Sequence, residues 1–182
     1  MKNTAAERHA VDFAFRPVSI QGAVKVLGVL CYHSGMDVQD DSTTICWRLH
    51  LKSSPTAVYE VLSTDEGRAR FWAESAVETG GVIHFIFPNH QSWRGRIIEA
   101  IAPYRFRVEY ISGSVTTFDL SEDGTGGTDL TLTDRGVEPA DRTEVAAGWV
   151  SVLLALKAAV DFGVDLRNHN LQRTWSDGFV DN

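Results

Sequence analysis

Cysteine is scarce in this chain of 182 residues: Cys31 and Cys46 are the only two. They form no CxxC pair and cannot supply a disulfide framework, so both are expected as reduced thiols in a cytoplasmic protein. Positive charge is also short. Lys and Arg number 17 against 24 Asp and Glu, for a formal net charge of −7. That is the wrong sign for neutralising nucleic-acid phosphates or settling on an anionic membrane. A membrane span needs about 20 apolar residues. The run Trp149–Leu156 falls short of this, and Lys157 and Asp161 interrupt its continuation. The brief run Val26–Tyr32 lacks the layout of a secretory signal. Nucleophile elbow, phosphate loop and dinucleotide fingerprint are all missing. The six histidines (His9, His33, His50, His84, His90 and His169) stand at no zinc-like spacing. No catalytic residue, metal or cofactor is assigned on this reading.

What is present describes an ordinary globular protein. Hydrophobic residues make up 43% and charged residues 23%, and a domain of this size buries about 70% of its unfolded surface without needing a staple. Residues 1–43 read as an N-terminal extension. Within it, residues 1–35 carry Lys2, Arg8, Arg16 and Lys25 against Glu7 and Asp12, a net +2, so the remainder carries −9. Met36 is a candidate natural start, with an irregular tail as the equal alternative. The domain proper is expected over 44–166, followed by a tail over 167–182.

Periodicity supplies the elements. Ile45, Trp47, Leu49 and Leu51 alternate as in a half-buried strand. Ser54 and Pro55 suit the cap and first position of a short helix with Val58, Val61 and Leu62 on one face. Ser63 and Glu66 have capping-box spacing for a second helix, which ends in Phe71-Trp72. Strands follow over 82–87, 93–101, 105–111, 115–120 and 129–133, joined by tight turns as in an antiparallel meander. From Asp141 to about Leu166 the apolar spacing turns helical, giving a helix near 39 Å long, capped by Asp141 and Glu144.

This order resembles the helix-grip fold of the START/Bet v-like (SRPBCC) superfamily: α+β, a curved antiparallel sheet around a long C-terminal helix, with two short helices after the first strand. The likeness is greatest to the branch of the activators of heat-shock protein 90 ATPase. It rests on Pro55–Val61 followed by Arg70-Phe71-Trp72, on Gly80-Gly81, on Trp93-Arg94-Gly95-Arg96-Ile97-Ile98-Glu99 with Pro103 beyond, and on Gly148-Trp149 with Leu153 and Leu156 behind it. It covers about residues 44–165. Ala73-Glu74 stands where the family often has proline or glycine, and the tail extends past the usual end. The resemblance implies a cavity between sheet and helix.

Phe85, Phe87, Trp93, Phe106, Tyr110, Phe118, Trp149 and Leu153 are the candidate lining of that cavity, because ligand sites are mostly apolar with a few polar groups. His84 and Glu99 are candidate polar anchors, although His84 alternates with Ile83 and Phe85 and so favours the solvent side. Arg107, out of phase with Phe106 and Tyr110, is a weaker candidate. Three functions compete. Binding of a small apolar molecule without catalysis ranks first. A protein-interaction role like that of the chaperone ATPase activators is second, with a chaperone or other protein as partner. A polyketide cyclase or dehydratase using Glu99, His84 or Tyr110 is third. In the tail, Leu171, Trp175 and Phe179 recur at spacings of four, and Trp175 is expected to anchor the tail to the domain.

Overall fold

The computed structural model describes residues 42–174 and 177–179. Cys31 and Met36 of the expected N-terminal extension lie outside the described residues. The elements are β1 (Thr44–Leu51), α1 (Pro55–Ser63), α2 (Asp65–Arg68), β2 (Ser75–Thr79), β3 (Val82–Ile86), β4 (Ser92–Ile101), β5 (Arg105–Glu109), β6 (Val115–Glu122), β7 (Thr128–Arg135) and α3 (Arg142–Phe162). The seven strands form one antiparallel sheet in the order β1-β7-β6-β5-β4-β3-β2. It curves around α3, and α1 and α2 fill the gap between β1 and β2. The chain is an α+β protein of the helix-grip type.

Alternation builds the core. Along β5 and β6, Phe106, Val108, Phe118 and Leu120 point inward and are buried, while Arg105, Arg107, Thr117 and Asp119 face out. From the opposite side α3 buries Trp149, Val152, Leu153 and Leu156. Each such side chain gains about 1.5–3 kcal/mol by leaving water.

Local chemistry sets the ends of the elements. Ser54 caps α1, accepting from the Ala57 N–H at 3.4 Å, and Pro55 occupies the first turn. The cap of α2 is Thr64, not Ser63: its hydroxyl accepts from the Gly67 N–H at 3.1 Å. Thr64 wins because α1 continues through Ser63, which is therefore helical and cannot supply the extended cap backbone. Gly80 and Gly81, at φ +61° and +81°, make the two-residue turn between β2 and β3, a conformation that costs glycine little. Strand β2 has no counterpart among the sequence expectations. Its five residues bury only Ala76 well, so no alternating signal exists to read.

α3 ends four residues earlier than expected. Gly163 takes the left-handed conformation and its N–H bonds back to Ala158 and Ala159, a stop signal that outweighs the continuing apolar spacing through Val164. With 21 residues the helix is about 32 Å long. Asp141 holds the cap position without a side-chain cap bond.

Candidate functional site

The interior between sheet and α3 is lined by aromatic rings brought together from distant parts of the chain. Trp72, following α2, sits at the centre with no exposure. Its ring centroid lies 5.1 Å from Phe85, 5.4 Å from Tyr110, 5.4 Å from Phe118, 5.6 Å from Phe71 and 5.9 Å from Trp149. Tyr110 stands 4.8 Å from Trp93 and 5.0 Å from Trp149. Phe87 and Trp93, half-buried, form the margin of the cluster, 5.7 Å apart. Tilted and edge-on pairs at these distances are favourable in themselves, by roughly 0.5–1.5 kcal/mol each beyond area burial.

The expected lining residues therefore share one interior, with two differences from expectation. Phe106 contacts Tyr59 of α1 at 6.5 Å, toward the α1 side. Trp72, which the sequence pattern marks only as a motif ending, holds the central position. That could not be seen without knowing that the turn after α2 aims inward.

Polar atoms are threaded through the rings. Trp72 Nε1 donates to the Tyr110 hydroxyl at 3.0 Å. Trp149 Nε1 donates to Asp134 Oδ2 at 2.8 Å, and the Thr116 hydroxyl donates to Asp134 Oδ1 at 3.2 Å. Burial pushes the Tyr110 phenol well above its ordinary range. It also pushes the Asp134 carboxyl up, against the opposing hydrogen bonds from Trp149, Ser114 and Thr116. Asp134 is fully buried, and it was not among the sequence candidates. Its position in phase with Leu130 and Leu132 on β7 was the available signal.

The two expected polar anchors lie elsewhere. His84 is exposed on the outer face of β3. Glu99 is carried outward by a β-bulge: Ile97 pairs with inward-facing Val108, whereas Glu99 pairs with Arg107. One extra residue exchanges the faces. Glu99 lies 3.9 Å from Arg105 there. Arg107 is half-buried, and its Nε makes no protein hydrogen bond. Trp93 Nε1 at the cluster margin makes none either. Among the described residues no group of three His, Cys, Asp or Glu converges as for a metal.

A second feature lies on the outside. Where α1, α2 and the end of α3 meet, a groove has a cavity volume of about 380 Å³. Ala57, Val61, Ala159 and Val160 supply apolar lining, and Glu60 and Glu66 are exposed and acidic. Its walls are tied across long stretches of sequence. Arg70 Nη2 donates to the Ala159 carbonyl at 2.8 Å. Past α3, buried Arg167 donates to the Ala73 carbonyl at 2.7 Å and also to that of Ala69. Arg167 also bonds Asp165, and His169 Nδ1 approaches Glu74 at 2.7 Å. The described tail is thus held through Arg167 and His169. Trp175 lies outside the described residues, and Leu171 and Phe179 are exposed.

A helix-grip α+β protein with an aromatic interior is the class these features define. The chain belongs to the family of activator of Hsp90 ATPase homolog 1-like proteins, whose profile matches residues 52–161. No curated protein matches it. Solved structures do. The Aha1 dimer of Colwellia psychrerythraea is 22% identical at a TM-score of 0.60, over 66% of this chain and 97% of that one. A Staphylococcus saprophyticus protein is 21% identical at 0.59, over 68% and 96%. An AHSA1-like protein of Aeromonas hydrophila is 18% identical at 0.57, over 66% and 93%. At such identities the likeness is one of fold.

Proposed function

We propose that this chain is a non-catalytic protein-interaction module, acting on a chaperone ATPase of the Hsp90 class. The observation that carries the reading is Trp72. Its indole occupies the middle of the interior, unexposed and in contact with five other rings. The indole thus stands where a ligand carrier would keep space open. Interaction chemistry then falls to the surface. Family membership is consistent with a chaperone partner. Hydrolysis of ATP by an Hsp90-class chaperone, measured with and without the full chain, tests the reading. Stimulation is expected, and an unchanged rate at saturating chain would overturn it.

Binding of a small apolar molecule between sheet and α3 is the second reading. The unpaired Trp93 Nε1 at the half-buried margin favours it, because a buried donor without a partner is costly. Entry would require Phe87 and Trp93 to swing aside. Stoichiometric uptake of an anilinonaphthalene sulfonate dye, weakened by Trp93→Phe, would support this reading over the first.

A further inference from the structure

The geometry points to the groove between α1, α2 and the end of α3 as a docking site for a basic segment of a partner protein, one that inserts an apolar side chain between flanking lysines or arginines. This deepens the interaction-module reading and rests on it for the identity of the partner, though not for the site.

The shape is built rather than incidental. Gly67 packs so closely beneath the groove that a Cβ there would stand 2.5 Å from the Val61 backbone, which brings α2 tight against α1. Arg70 holds the α2 side to the last turn of α3 through the Ala159 carbonyl. Arg167 fixes the carbonyls of Ala69 and Ala73 in the segment that follows α2. Three elements are therefore held before any partner arrives, which lowers the entropy lost on binding.

The charge is complementary to a cation. Glu60 and Glu66 are exposed at the groove and neither has an ion-pair partner among the described residues. Arg70 is the basic group in the lining and donates one bond to the end of α3, so with Glu60 and Glu66 the lining keeps one net negative charge. Ala57, Val61, Ala159 and Val160 offer an inserted side chain some apolar contact, while the two carboxylates select against acidic segments by repulsion. A volume of about 380 Å³ has room for one or two large side chains.

The test uses the full chain and a fluorescein-labelled amphipathic peptide of leucine and lysine, read by fluorescence polarisation. A leucine–glutamate peptide of the same pattern serves as control. The leucine–lysine peptide should bind and the leucine–glutamate peptide should not. Glu60→Gln/Glu66→Gln should weaken binding by about tenfold, whereas Glu122→Gln/Glu138→Gln should leave it unchanged. Ala57→Trp, which fills the groove without altering charge, should weaken binding as well. Equal losses in both charge variants would mean nonspecific attraction to an acidic protein and would overturn the site, as would full binding by Ala57→Trp. The same Glu60→Gln/Glu66→Gln chain enters the chaperone ATPase assay. If wild type stimulates and the variant does so equally, the groove fails and the interaction reading stands. If wild type does not stimulate but peptide binding depends on Glu60 and Glu66, the groove stands and the chaperone assignment fails.

Discussion

The indole N–H of Trp149 donates to the buried carboxylate of Asp134 across 2.8 Å, tying the long helix to the last strand from inside the core. Trp149→Ala removes both the ring and that donor and should cost on the order of 3–5 kcal/mol. Trp149→Phe keeps most of the packing and leaves the carboxylate short of a partner, for a loss of about 1–3 kcal/mol. Chemical denaturation measures both, and a Trp149→Phe chain as stable as wild type would mean that the hydrogen bond contributes nothing.

The same carboxylate gives a pH signature. Burial raises the Asp134 carboxyl in the folded state above its ordinary value, near 3.9. Its stabilising contribution is therefore full below the ordinary value and lost as pH rises through the raised one. Compared with Asp134→Asn, the wild type should gain stability as pH falls from neutral toward about 4. A stability difference that stays flat over that window would mean that Asp134 is not shifted.

Arg167 gives a second pH signature, of opposite sign. Burial alone would raise the Asp165 carboxyl, but the hydrogen bonds and charge of Arg167, joined by His169, prevail and hold it at about 2. A depressed carboxylate contributes stability above its ordinary value and loses it as pH falls toward the folded one. Arg167→Ala should destabilise the chain at neutral pH by about 1–3 kcal/mol, with the Ala69 and Ala73 carbonyls losing their donor. It should also reduce the acid sensitivity of stability between about pH 4 and 2. Limited proteolysis should cut the tail faster in the variant; an unchanged cleavage rate would show that Arg167 does not clamp it.

Asp161 fastens the other end of α3. Its unexposed carboxylate accepts from the backbone N–H groups of Lys52 and Ser53, from the Ser53 hydroxyl and from Lys157, at 2.9–3.0 Å. Asp161→Ala leaves those donors short of an acceptor and should cost about 1–3 kcal/mol. Hydrogen exchange should quicken around Lys52 and Ser53 without quickening at β4; uniform quickening would mean global destabilisation instead.

Two glycines from the motifs should respond in opposite directions. A Cβ on Gly95, in β4, would meet the Glu109 carbonyl oxygen at 2.2 Å, so Gly95→Ala should cost on the order of 1–3 kcal/mol. Gly148 lies in α3 with nothing within 4 Å of its would-be Cβ. Gly148→Ala should therefore stabilise by up to about 1 kcal/mol, since glycine is a poor helix former. Thermal melts of the pair decide the matter, and a shift of the same sign in both would refute the steric account.

Two residues mark where reading along the chain stops. Glu99 alternates in phase with Trp93 and Ile97 and reads as inward-facing, yet the bulge after Ile97 turns it out. Asp134 reads as a polar end to β7, yet it enters the core because three donors from β6, its approach and α3 meet it there.

Composition and periodicity by themselves determined the main strands, the long C-terminal helix and the acidic charge, and the order of those elements with their motifs carried the resemblance that gave the class of protein. Alternation of two and of 3.6 is written into neighbouring residues, and burial of one face obeys it. Tertiary structure alone decided that Trp72 closes the interior, that Asp134 is buried with partners, and that a groove with an acidic edge forms where α1, α2 and α3 meet. Most of these depend on groups far apart in the chain, such as Arg70 with Ala159 and Trp149 with Asp134. Such pairings arise from the folded packing and have no local pattern from which to be read.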